Sequence, residues 1–459
     1  MSVSPGGERR ACRSGGRYRE NRPAFQAVAP LFPVRRTIRP VTANGQNDAF
    51  EAIVSHDTYT KGVPWDLFAR MRAHGSPCWV DETDGAGFWA LTRHAHVFHA
   101  SSTPRDFSCA RGIRLEELDA DELEARRTMM EYDGAEHARL RRLVGAGFSR
   151  KSIATYEASV RDLAAQVLDR ALELGELDFV EEVSRELPIR MLCRILGVPE
   201  EDAGELVEWG DALISNADPE FSMAVIDQVD TEEFRLLPFR SPAARAVFDY
   251  ASHIRKERLR RPIDDIISGM LAEDAGGRPL TELEFQNFFL LLIVAGNETT
   301  RHTISHGLLA LLDHPDAWEG LRTAPGERAL FESATEEILR WTSVTMHFRR
   351  TLTRDLDLDG APLRRGDKAV LWYIAANRDP ETFPEPERFD IRRSPNPHLA
   401  FGAGRHVCLG AWLARLEVRV TFEELFRRVR AVERNGPPDR LRSNFIHGVK
   451  HLPVRLMPR

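Results

Sequence analysis

The chain has 459 residues and a formal net charge of −7; 42% of its residues are hydrophobic and 29% are charged. That composition supports a sizeable buried core and excludes wholesale disorder, and the acidic balance argues against a general nucleic-acid binder. The longest apolar run, Phe288 to Ala295, is eight residues, against the roughly 20 that a membrane-spanning helix needs.

Residues 1–47 stand apart. They carry nine Arg and two acids, +7 in all, with Gly and Pro punctuation and no sustained period. They read as a disordered Arg-rich extension, and residues 48–459 as one continuous domain. The five cysteines (12, 78, 109, 193 and 408) are odd in number and scattered. They fit neither a disulfide framework nor a Cys-x-x-Cys zinc site, so a reducing cytoplasm is expected.

Past the extension, a short helix is expected around 63–74. A hairpin with arms near 77–80 and 88–91 follows, turning at the Asp-Gly-rich stretch 81–87. Apolar periodicity close to 3.6 predicts helices around 136–148, 152–173, 180–196, 242–260, 281–312, 328–341 and 411–430. Short β-like runs lie at 347–353, 369–374 and 441–456. The fold expected is mainly α with small β-sheets. Segments 100–130 and 214–242 read as mobile lids.

The helix from Thr281 is the clearest. Thr281 and Glu284 form a capping-box signature and Asp313-His314-Pro315 ends it. Its apolar run breaks at Ala295-Gly296-Asn297-Glu298-Thr299-Thr300. An acid and hydroxyls in a buried turn are costly unless paired or used. The reading is either a kink satisfied by internal bonds, with Thr299 bonding back to the carbonyl at 295, or an acid–alcohol pair, Glu298 and Thr299, that delivers protons.

The segment Phe401-Gly-Ala-Gly-Arg-His-Val-Cys408-Leu-Gly410 places a cysteine on a glycine-rich loop just before a helix. Free backbone N–H groups and the helix dipole there favour a thiolate. The glycines admit a flat, bulky cofactor. Cys408 is a nucleophile, a structural cysteine or a metal-ligating thiolate. A nucleophile wants a base aimed at the sulfur, and His406 is not obliged to face it. Haem is the usual cofactor that takes one protein ligand.

FGAGRHVCLG resembles the haem-binding signature of the cytochrome P-450 superfamily of haem-thiolate monooxygenases, and three further motifs occur in that family's order. AGNETT is similar to the oxygen-activation motif of the long distal helix. Glu337-Ile338-Leu339-Arg340 resembles the family's E-x-x-R. HARLRRLVGAGFS, 137–149, resembles the helix at the haem edge, and residues 376–402 match the meander before the Cys loop. Here Gly134-Ala135 stand where the family often has Pro-Pro.

The resemblance covers about 48–459 and implies a fold in which the long helix and the Cys loop sandwich haem b. It makes Cys408 the axial ligand of the haem iron. Phe401 shields the sulfur, and Gly402 and Gly410 belong to the cofactor loop. His137, Arg141, Arg350 and His406 bind the propionates, where cationic or N–H donors are needed. Thr299 and Glu298 are the catalytic pair. Glu337 and Arg340 are structural, completed by a third Arg from the meander: Arg393, which fits the spacing better, or Arg388.

AGNETT, Asp218-Pro219-Glu220, TMHFRRT and SNFIHGVKHLPV are similar to a bacterial subgroup acting on sterols, isoprenoids and other lipids. The pocket expected is lined by Val294, Ala295, Val344, Met346, Phe348, Phe445 and Ile446, with His347 and His447 available to one polar terminus. The expected activity inserts one atom of O2 into a C–H bond of a lipophilic substrate. No flavin domain accompanies this sequence, so electrons are expected from a ferredoxin and its reductase, docking on Arg139, Arg142, Arg415 and Arg419. The competing readings are a non-catalytic haem protein of the same fold, a hydroxylase of a polar product such as a macrolide and, more remotely, a Cys hydrolase.

Overall fold

The computed structural model describes residues 50–83, 85–272 and 278–459; the Arg-rich extension predicted at 1–47 lies outside the described residues. The long helix, Glu282–Asp313, runs 32 residues, about 48 Å at 1.5 Å per residue. Thr281 caps it: its side chain accepts from Glu284 N, and Glu284 returns a bond to the Thr281 N–H. Leu290, Ile293, Ile304 and Leu308 are among its residues buried in the principal core. Helices Glu186–Leu196, Ala203–Ile214, Ala243–Arg260, Arg328–Thr342 and Ala411–Arg428 pack around it.

The principal sheet has five strands in the order Cys78–Val80, Phe88–Leu91, Lys368–Trp372, His347–Leu352, Phe107–Ser108. The first pair is the predicted hairpin, antiparallel with Cys78 opposite Ala90. Phe88–Leu91 then runs parallel to Lys368–Trp372, and the remaining pairs are antiparallel. All five residues of Lys368–Trp372 are buried, as expected of a strand covered on both faces. One face carries a second core with Phe68, Phe88 and Trp372. A separate three-stranded sheet joins Glu176–Asp178, Pro453–Pro458 and Val429–Arg434.

Three local outcomes differ from the periodicity. The helix expected over 180–196 is a π-helical turn, Val180–Ser184, followed by Glu186–Leu196; the Arg185 N–H donates to the Val180 carbonyl at 2.9 Å. Helix Ala203–Ile214 was not predicted; Gly204 and Gly210 dilute its apolar stripe. Of the run 441–456, only Val449–His451 and Pro453–Pro458 are strands. Residues 441–448 form the loop of a hairpin between Asp439–Arg440 and Val449–His451.

Candidate functional site

One cavity lies between the long helix and the Cys loop. His137, Arg141, Arg350, Phe401, Gly402, His406, Cys408 and Gly410 all line it, as do Val294, Ala295, Thr299, Val344, Phe348, Phe445 and Ile446. The loop is held by backbone geometry: the Cys408 N–H donates to the Phe401 carbonyl at 2.9 Å. Gly402 and Gly404 sit at φ +68° and +70°, a region that favours glycine. A Cβ on Gly404 would stand 2.6 Å from the Ser101 carbonyl oxygen. Gly410 has nothing within 4 Å of a Cβ position, leaving a smooth wall on the cavity side.

The Cys408 sulfur opens into this cavity. Burial pushes its thiol up; the Gly410 N–H, Arg141 and Arg415 pull the other way. The depressed thiol expected from the helix N-terminus is therefore not produced by the protein alone. A metal at the sulfur deprotonates such a thiol outright.

The walls fit a cofactor with carboxylates. His137 Nε2 is buried without a partner, and burial, helped by His406 and Arg141, lowers this imidazole to about 4. The His137 and His406 rings meet at 4.0 Å between centroids, tilted by 32°. Arg141 is half-buried with only the Cys408 sulfur to draw on. Arg350 is buried, and its Nη1 donates to the Arg349 carbonyl at 2.8 Å. Buried cations and N–H donors converge here, with the Asp133 carboxylate 3.9 Å from His406 Nε2 as their protein counter-charge; such a set suits propionates.

Behind the Cys loop, Glu336 receives Arg415 at 2.6 and 2.9 Å and His398 at 3.0 Å. The Arg415 guanidinium in turn covers the Phe401 ring at 4.6 Å. Burial would raise Glu336, but His398 and Arg415 outweigh it and hold it at about 2, below its ordinary 4.5. Its folded value is the lower, so the stability it contributes is complete above pH about 4.5 and lost as pH falls toward 2. Glu336→Gln should lose about 1–3 kcal/mol at neutral pH, and its acid unfolding should begin at lower pH relative to its own plateau. Urea midpoints between pH 3 and 7 check this.

Across the cavity, the long helix stays α-helical through 295–300. Thr299 Oγ1 donates to the Ala295 carbonyl at 2.9 Å, the predicted back-bond. Gly296 does not open the helix: a Cβ there would meet Leu192 at 3.1 Å, so the glycine serves close packing. Ala295 and Thr299 face the cavity while Glu298 is fully buried behind them. Glu298 accepts from Arg301, and Arg301 also donates to both oxygens of Asp211 at 2.7 and 3.2 Å. Burial and the nearby Glu298 push Asp211 up to about 7 against the pull of Arg301. Burial keeps His302 neutral, so its 3.4 Å approach to Glu298 is not an ion pair. Helix Ala203–Ile214 packs against the long helix here, and the Cβ position of Gly210 is 4.0 Å from Glu298 Oε1. Asp211 lay on the helix the periodicity missed.

A second missed acid is Glu417, on the helix after Cys408. It lines the cavity, and burial raises it well above its ordinary 4.5 against the pull of the Thr300 hydroxyl. Its signal was an acid among the apolar positions of a buried helix.

Met346 is a correction. The left-handed turn at Ser343, φ +40°, and the pairing of Met346 N–H with the Phe445 carbonyl at 2.9 Å break the expected alternation. Its side chain joins the second core beside the sheet and does not line the cavity. His347 and His447 are absent from the cavity wall as well. His347 packs on Trp372 and Phe445, and the His447 ring lies tilted against His306 at 3.9 Å.

Three of the expected docking arginines are also spoken for. Arg139 is bound to Glu136, Arg419 to Glu157 and Glu423, and Arg415 to Glu336. Arg142 is exposed.

Glu337 and Arg340 are both wholly buried and bonded twice, at 2.8 Å each. Arg393 supplies the third charge, 3.2 Å from Glu337, while Arg388 offers only its carbonyl.

A cysteine loop and a long helix facing one cavity across a mainly helical fold define a haem-thiolate protein. The Cytochrome P450 family profile matches residues 241–455. The methyl-branched lipid omega-hydroxylase of Mycobacterium tuberculosis is 38% identical over 374 residues, covering 81% of this chain and 84% of that protein. The steroid C26-monooxygenase of Rhodococcus jostii is 33% identical over 411 residues, 87% and 83% of the two chains. Among solved structures, Mycobacterium marinum cytochrome P450 CYP268A2 in complex with pseudoionone aligns with TM-score 0.81 and 33% identity, covering 91% of this chain and all of that one. The chain belongs to the cytochrome P450 family. It is a monooxygenase, its cofactor is haem b and its substrate is lipophilic. Among the described residues no helix is long and apolar enough to cross a membrane.

Proposed function

We propose that this P450 hydroxylates an elongated, mostly hydrocarbon substrate of the sterol, isoprenoid or fatty-acid kind, in the cytoplasm, with electrons from a ferredoxin and its reductase. The observation carrying the substrate class is the wall formed by Val294, Ala295, Val344, Phe348, Phe445 and Ile446, all on one cavity with Cys408. Such a wall gains affinity from buried apolar area, about 25 cal/mol per Å² before ordering costs. The two curated relatives, named as lipid and steroid hydroxylases, support the same class.

Haem bound at Cys408 supplies activation of O2. His137, Arg141, Arg350 and His406 hold its carboxylates, and Phe401 covers the sulfur. Thr299 presents a hydroxyl at the open turn of the long helix, and Glu298 with Arg301 and Asp211 forms the charged reserve behind it. In this reading protons reach the cavity through Thr299 from that reserve. A ferredoxin docks near Arg142 and Arg405, both exposed.

Titration of the ferric holoprotein with sterols, terpenes, fatty acids and macrolides tests the substrate class. Micromolar binding of a macrolide with no response to any lipid overturns it. Thr299→Ala should bind haem and substrate normally yet consume reducing equivalents with roughly tenfold less product per equivalent, short of the roughly 100-fold or more that a positioned proton donor is usually worth to the proton-transfer step itself. An unchanged ratio of product to equivalents removes Thr299 from proton delivery.

A further inference from the structure

The cavity wall built by residues 112–131 and 238–239 carries charged side chains of its own. Arg126 ends helix Ala120–Arg126 and is 7% exposed. Its Nη2 is used, donating to Glu122 Oε1 at 2.7 Å and to the Arg235 carbonyl. Its Nε and Nη1 are buried with no partner, on a residue that lines the cavity. A guanidinium with two idle donors in a buried wall is costly unless a ligand uses them.

The local acids do not supply that ligand. Glu122 is shared with Arg240 at 2.7 Å. Glu131 accepts from the Thr128 N–H and hydroxyl at 2.9 and 2.7 Å. Glu116 lies 3.5 Å from Arg114 Nε. Arg114 also lines the cavity, its guanidinium 4.8 Å over Phe239 and 5.3 Å over Phe445. Two cations thus face the cavity on a wall that Glu116 and Glu131 also reach; Glu116 attracts Arg126 but leaves its Nε and Nη1 without a hydrogen bond.

Their position is set by the long helix. Asn287 Nδ2 donates to the Ala125 carbonyl at 2.9 Å, which fixes the end of the Arg126 helix beside Asn287. Asn287 precedes Ala295 by eight residues, about 12 Å along the axis at 1.5 Å per residue.

We propose that Arg126, with Arg114 beside it, seats the carboxylate of an anionic lipid, a long-chain or isoprenoid acid whose far end lies at Ala295 and Thr299. This rests on the reading of the cavity as a lipid site and adds the chemistry of the head and the end that is oxidised. A bidentate guanidinium–carboxylate contact supplies the geometry.

The test is calorimetric titration of the full-length holoprotein with hexadecanoic acid, hexadecanol and methyl hexadecanoate, and with a branched isoprenoid acid and its alcohol. At least one acid should bind at least roughly tenfold more tightly than its alcohol, the usual yield of a charged hydrogen bond. Arg126→Gln should weaken that acid by a similar factor and leave its alcohol within about twofold, whereas Arg126→Lys should retain part of the preference. Equal binding of acids and alcohols by the unmodified protein overturns the anchor while sustaining the lipid site. Equal weakening of acid and alcohol by Arg126→Gln, with Arg126→Lys no better, marks Arg126 as a packing element and also overturns it. No binding of any acid, alcohol, ester or sterol overturns the lipid reading itself, and the anchor with it.

Discussion

Cys408→Ala is expected to fold, keep its cavity and lose the Soret position that marks thiolate ligation in the reduced carbonyl complex. The loop should survive because what holds it is backbone: the Cys408 N–H on the Phe401 carbonyl, and the positive φ of Gly402 and Gly404. The side chain removed faces the cavity. The pocket keeps His137, Arg141, Arg350 and His406, so some haem should remain bound with its thiolate electron donation gone. Monooxygenase turnover should fall below detection. The carbonyl spectrum and the melting temperature together check this. A normal band in the variant removes Cys408 from its role, and a collapsed melting transition shows that the sulfur packs the loop as well.

Arg340→Ala is expected to prevent accumulation of folded holoprotein. The change leaves the fully buried Glu337 with Arg393, the Asp390 N–H and Asn396 alone. It also strips donors from the carbonyls of Asn377, Pro386 and Arg388. Breaking one partner out of a buried pair costs about 3–5 kcal/mol, a large part of a domain stability of roughly 5–15 kcal/mol. Those carbonyls belong to the segment that leads into Cys408, so haem loading should fail before the helical core does. Arg340→Lys rescues little, because one ammonium cannot replace two parallel guanidinium bonds. Haem content per protein and the urea midpoint measure the effect. Loading and midpoint near the unmodified values in Arg340→Ala overturn it.

Much of this was legible along the chain. The long helix carried its own start and stop, because a capping box and an X-Pro step act over three or four residues. Its measured limits, Glu282–Asp313, follow. The hairpin at 78–91 was readable for the same reason. Cys408 and the turn 295–300 were legible because tight loops and polar breaks leave compositional marks.

What chain order could not supply was side-chain direction and partner choice. Met346 and Phe348 share a strand-like parity, yet the turn at Ser343 and a bond to Phe445 send Met346 into the other core. Arg139 and Arg419 looked like a surface face until Glu136, Glu157 and Glu423 closed on them from neighbouring turns and helices. Asp211 gained its place beside Glu298 because two helices pack together and Arg301 bonds Asp211 from 90 residues away in sequence. The amino-acid sequence by itself marked the family, the cysteine loop and the polar turn of the long helix, since each is written in local spacing. The tertiary structure alone decided which acids and arginines are paired, and that Arg126 is left with two donors facing the substrate space. Pairing depends on distances across the core that no local pattern encodes.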